Sequence, residues 1–144
     1  MIDIPELPAL APAGADRMRA LAETILLDFS HPRVAALVQG RGWQQLTEHG
    51  RIAAAYAFVR DEIAFGYNRD DDLKASEVLA DGYGQCNTKS TLMMALLRAL
   101  GIPCRFHGFT IDKQLQRGAI TGLAYWLAPR NIIHSWVEVW TGER

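Results

Sequence analysis

Apolar residues recur at helical spacing through the first two thirds of the chain and at every second position near its end, which predicts helices followed by a small sheet. From Ala15 to about Phe29, the residues Met18, Leu21, Ala22, Ile25 and Leu26 fall on one helical face. Ser30-His31-Pro32 then starts a shorter helix running through Val38 to a stop at Gly40. Gln44 to Asp61 predicts a second long helix, with Leu46, His49, Ile52, Ala53, Tyr56 and Val59 or Arg60 on one side. Ile63 to Tyr67 leaves it as an extended connection, Asn68 to Asp72 is a polar loop, and Lys74 to Leu79 makes one or two helical turns.

The most apolar stretch follows the loop Asp81-Gly82-Tyr83-Gly84-Gln85-Cys86-Asn87-Thr88-Lys89-Ser90. Leu92, Met93, Met94, Ala95, Leu96, Leu97, Ala99 and Leu100 make a helix that is apolar on nearly every side, and Gly101-Ile102-Pro103 stops it. Cys86 therefore opens a buried helix. The first N–H groups of a helix are unpaired and favour a thiolate over a thiol, which makes Cys86 a nucleophile candidate.

Beyond Pro103, Cys104 to Ile111 alternates as a strand, with Cys104, Phe106 and Gly108 on one face and Arg105, His107 and Phe109 on the other. Asp112 to Gly118 is polar and Ala119 to Pro129 is apolar, with Tyr125 and Trp126, which suits a loop or short helix walling a cleft. Ile132 to Trp140 is again strand-like: His134, Trp136, Glu138 and Trp140 share one face and Ser135, Val137 and Val139 the other. Thr141-Gly142 reads as a turn.

Composition narrows the classes. At 144 residues and 49% hydrophobic, the chain suits an N-terminal arm over residues 1–14, rich in proline, and one domain over 15–144. A net charge of −1 without basic blocks argues against nucleic acid or an anionic membrane as partner. Two cysteines and no leader-like segment favour the cytoplasm. Neutral or small partners are expected.

His134 is the best base for Cys86, because imidazole can take the thiol proton and return it to a leaving amine near neutral pH. The Cys86 N–H is the natural first oxyanion donor, with Gln85 and Tyr83 supporting the loop. Glu138 lies about 13 Å along the strand from His134, too far to orient it. Cys104 reads as core. Cys104-x-x-His107 sends its side chains to opposite faces, and Asn68, Asp70 and Asp72 lack the glycine and glutamate of a calcium loop, so neither metal nor cofactor is expected.

Four segments together resemble the transglutaminase-like branch of the papain-like cysteine enzymes: Ala75 to Leu79, Tyr83-Gly84-Gln85-Cys86, Ala95 to Arg105, and His134 to Val139. They span roughly residues 52 to 140. The resemblance implies an α+β fold, with the cysteine on a central helix packed against a small antiparallel sheet that carries the histidine. It also implies a Cys-His-Asp triad in which Cys86 and His134 are the first two members. The family's acid lies on the strand after the histidine strand, which places it beyond Arg144 and makes the chain read as C-terminally truncated, with a sheet edge open to dimerisation. Animal transglutaminases use an upstream tryptophan as second oxyanion donor; Trp43 does not align with it. The implied activity is acyl transfer through a thioester, on a protein, peptide or small amide substrate. Hydrolysis by a peptidase or amidase is favoured, with transamidation to an amine or a catalytically inactive peptide-binding module as alternatives.

Overall fold

A computed structural model describes residues 14–112, 114, 122–127 and 129–142. The expected N-terminal arm lies outside them except for Gly14, as does most of the polar stretch after Asp112. The helices are α1 (Ala15–Leu21), α2 (Pro32–Gly40), α3 (Glu48–Asp61), α4 (Ala75–Asp81), α5 (Cys86–Ala99) and α6 (Gly122–Leu127). The strands are β1 (Ala64–Phe65), β2 (Tyr83–Gly84), β3 (Cys104–Asp112) and β4 (Asn131–Val139).

Helix α5 is the centre of the packing. Leu92, Ala95, Leu96 and Leu97 are wholly buried, in one cluster with Val34 and Val38 of α2, Ala55, Phe58 and Val59 of α3, and Ala75 and Val78 of α4. Its C-terminal end closes through local signals. Gly101 adopts φ 75°, its N–H donates to Arg98 O at 3.0 Å, and Ile102 N donates to Leu97 O at 2.9 Å. These are the two bonds of a Schellman motif, which needs a residue at ease in the left-handed region.

Two short parallel strands, β1 and β2, pair Ala64 with Tyr83 and Phe65 with Gly84. They tie the exit of α3 to the loop before Cys86. The antiparallel ladder of β3 and β4 runs from Cys104↔Val139 to Asp112↔Asn131. Cys104 is buried, and Val137 and Val139 pack against the helical core, so α5 lies on that face of the ladder. Among the described residues no helix is long and apolar enough to cross a membrane.

Two expectations are corrected. The first helix ends at Leu21 and does not continue to Phe29, because side chains there satisfy main-chain donors directly. Thr24 Oγ1 accepts from Leu27 N at 3.1 Å, and Glu23 Oε1 accepts from Ser30 N at 2.8 Å and from Ser30 Oγ at 2.6 Å. The helix expected from Gln44 starts only at Glu48, after a 3-10 turn over Trp43–Gln45. Thr47 caps it, accepting from Gly50 N at 3.2 Å. Its buried face is also partly displaced from the expected one: Val59 turns inward as expected and Ala55 and Phe58 join it, while Ala53, Tyr56 and Arg60 are exposed. Phe58 meets the buried Trp43 edge-on at 5.6 Å, and this wholly apolar ring gains more from burial than Tyr56, whose hydroxyl would need a partner inside.

Candidate active site

Cys86 occupies the first position of α5, half-buried. The helical ladder begins with Lys89 N donating to Gln85 O at 2.9 Å, so the N–H groups of Cys86, Asn87 and Thr88 precede it and have no helical acceptor. The loop holding the thiol is braced by one remote side chain. Asn68 Nδ2 donates to Tyr83 O and to Asp81 Oδ2, each at 3.0 Å, and Asn68 Oδ1 accepts from Thr88 Oγ1 at 2.6 Å. Thr88, fully buried, accepts in turn from Gln85 N at 3.1 Å. Gln85 Oε1 accepts from Asn68 N at 2.8 Å, and Gln85 Nε2 donates to Asp71.

Space in this loop is as tight as its bonding. A Cβ on Gly84 would stand 2.6 Å from Thr88 Oγ1 and 3.3 Å from Asn68 Oδ1, so glycine is required by close approach. The three expected loop residues are therefore found together: Gln85 caps the helix through its main chain and ties back to Asn68 and Asp71, Tyr83 lends its carbonyl to Asn68, and Cys86 follows.

Asn87 links the helix to the sheet. Its Oδ1 accepts from Cys86 Sγ at 3.6 Å and from Ser135 Oγ at 3.2 Å. Strand β4 thus reaches the thiol through Ser135, the immediate neighbour of His134. Alternation along β4 puts Ser135 on the face toward α5 and His134 on the other, where its ring meets Phe109 edge-on at 5.4 Å. Among the described residues no hydrogen bond joins Cys86 Sγ to the His134 ring. The elements of the candidate pair are adjacent, while the two side chains are not engaged with each other.

The other candidates sort themselves by contact. Glu138 Oε2 accepts from Arg105 Nε at 2.6 Å and meets His107 Nε2 at 2.8 Å. The hydrogen bond to His107, followed by Arg105, holds this carboxyl below the usual glutamate range against some desolvation. Cys104 is buried, and burial pushes its thiol up, partly offset by Arg98. Lys89 sends its Nζ to Ile63 O at 2.6 Å, and burial pulls its pKa below the ordinary lysine value, with Asp61 opposing. Trp43 lies in the core.

Sequence reasoning missed Asn68, Thr88 and the bridging role of Asn87. A threonine three residues after a helix N-cap is a readable signal, since it can return a bond to the cap N–H. Asn68 carries no such mark, because its partners lie well downstream in the chain.

Comparisons with known proteins bear on the family and the fold. The core of the transglutaminase-like superfamily matches residues 34–144. A curated relative, the uncharacterized protein YebA of Bacillus subtilis (strain 168), is 31% identical over 91 residues, covering 62% of this chain and 12% of YebA. The chain thus spans a small part of that relative's length. A solved structure described as a "putative cysteine protease" from Cytophaga hutchinsonii has a TM-score of 0.67 at 15% identity, covering 94% of this chain and 42% of the other. At that identity the likeness concerns the fold, a papain-like α+β arrangement. With most of its length matched by the family's core, from α2 through β4, the chain belongs to the transglutaminase-like superfamily.

Proposed function

We infer that the chain carries the nucleophile and base of a cysteine-dependent acyl-transfer enzyme acting on amide or peptide bonds. One observation carries this reading: Cys86 stands at the first position of a buried helix, in a loop whose polar groups are tied to one another, beside the strand that bears His134. The helix start leaves the Cys86 N–H without a helical acceptor, and this N–H is the proposed first oxyanion donor.

In the proposed reaction Cys86 Sγ passes its proton to His134 and attacks the carbonyl carbon. The C–N bond then breaks, the amine leaves with the proton from His134, and a thioester remains. Water, deprotonated by His134, attacks the thioester; the S–C bond breaks and a carboxylate is released. An amine in place of water would give transamidation. Hydrolysis is the preferred reading because, among the described residues, no carboxylate lines the recess beside the thiol to receive a cationic amine. For proton transfer the imidazole must reach Sγ around the edge of β4, a rearrangement from the face on which His134 now meets Phe109.

The test is the alkylation of Cys86 by iodoacetamide between about pH 5 and 9, followed by mass spectrometry, with Cys104 as internal control. Labelling well below the ordinary thiol range, slowed in His134→Ala, is expected. Release of ammonia or of a new carboxylate from amide substrates, with and without added amine, then separates hydrolysis from transamidation.

A second reading rests on the bond from Cys86 Sγ to Asn87 Oδ1, which engages the thiol away from imidazole. It makes the chain a peptide-binding module with the enzyme's fold. Cys86 labelling no faster than an ordinary thiol, unchanged in His134→Ala, would favour it.

A further inference from the structure

Beside the candidate thiol, α3, α5 and β4 enclose a recess of about 400 Å³, a size within the range of small-molecule sites. Val59, Met93 and Val137 give it apolar walls, Tyr56 stands beside it 54% exposed, and Trp136 contributes from β4 with its ring turned to the other face against His107 and Phe109. Ser90 belongs to the same wall. Because Ser90 is four residues after Cys86, it lies on the same side of α5, about 6 Å further along the axis. The recess therefore begins roughly one helical turn from the sulfur.

Its charge is one-sided. Arg60 and Lys89 line it and, among the described residues, no carboxylate does. Both cations have partners, Asp61 for Arg60 and Ile63 O for Lys89, so they do not call for an anionic ligand. They do oppose a lysine or arginine side chain, because like charges in a partly desolvated recess repel. An apolar chain meets no such penalty and covers Tyr56 and Met93 from water.

We propose that this recess is the specificity pocket of the acyl substrate, receiving an apolar side chain of leucine or phenylalanine type adjacent to the carbonyl that Cys86 attacks. The assignment rests on the nucleophile reading above. It adds the substrate class: amides or peptides with a bulky apolar residue on the acyl side, and basic residues disfavoured there.

Acetylated amino-acid chloromethyl ketones test it, since the thiolate displaces chloride to form a thioether while the side chain samples the recess. Second-order rates of Cys86 labelling are measured for leucine, phenylalanine, alanine and lysine ketones, with iodoacetamide, which has no side chain, as reference. The leucine and phenylalanine reagents should label about tenfold faster than alanine or more, with lysine slowest. Ser90→Trp should fill the recess and remove most of that advantage, read as the ratio of each ketone's rate to the iodoacetamide rate of the same variant. Tyr56→Ala, at an exposed position, should reduce it in a protein whose core is untouched. Fast iodoacetamide labelling combined with indifference to the ketone side chain would overturn the pocket alone. Ordinary thiol reactivity toward every reagent would overturn the nucleophile reading, and the pocket's role with it.

Discussion

The two ends of α5 are built by opposite strategies. At the C-terminal end Gly101 and Ile102 bond to carbonyls within the same turn, and Arg98 reaches Cys104 O at 2.9 Å just beyond it. At the N-terminal end the loop is held from a distance, by Asn68, Asp71 and, through Asn87, Ser135. A local cap terminates a helix wherever the sequence places it. A remote brace instead fixes one end of the helix relative to other elements, which is what a reactive thiol requires if its partner groups arrive on a different strand.

Thr88→Val should give the largest effect and break the N-terminal brace. Valine keeps the shape but leaves Asn68 Oδ1 and Gln85 N without their partner. The expected loss is about 3 kcal/mol in urea unfolding, accompanied by slower iodoacetamide labelling of Cys86. Equal labelling rates in both proteins would show that the brace serves stability alone.

Gly101→Ala should act at the other end and only on stability. A φ of 75° strains any residue with a Cβ, so about 1 kcal/mol should be lost, with the Cys86 labelling profile unchanged. A changed profile would mean that the two ends are mechanically coupled, against the contrast drawn here.

The smallest effect is expected on the ladder face that turns away from both ends. Glu138 has its pKa lowered in the fold by His107 and Arg105. The unfolded state therefore binds its proton first as pH falls. The stabilisation is fully present above the ordinary value of 4.5 and is lost as pH falls through the lowered folded value. For so accessible a cluster it should be below about 1 kcal/mol. Unfolding midpoints measured on either side of pH 4.5 should differ less in Glu138→Gln than in the parent chain.

The contrast between the ends also marks what could be read in advance. The stop of α5 was legible because Gly-Ile-Pro after an apolar run is local chemistry. So were the start at Cys86 and the alternation of β3 and β4. The length of α1 was misjudged because Thr24 and Glu23 bond main-chain donors that periodicity assigns to a helix. The inward face of α3 was misjudged because Trp43, outside that helix, selects Phe58 over Tyr56. Cys86, Gln85 and Tyr83 were found from a contiguous motif, while Asn68 was not, since nothing near it in sequence reveals the bonds it makes.

By itself the sequence determined where helices and strands form, which residues bear a thiol and an imidazole, and that the thiol opens a buried helix. Those properties depend on spacing, propensity and capping over a few residues. The tertiary structure decided which faces are buried, that Asn68 braces the loop, that Ser135 and not His134 faces α5, and that an apolar recess opens one turn from Cys86. These depend on contacts between residues distant in sequence, where the packing of large side chains and the satisfaction of buried polar groups select one arrangement among several that local rules allow.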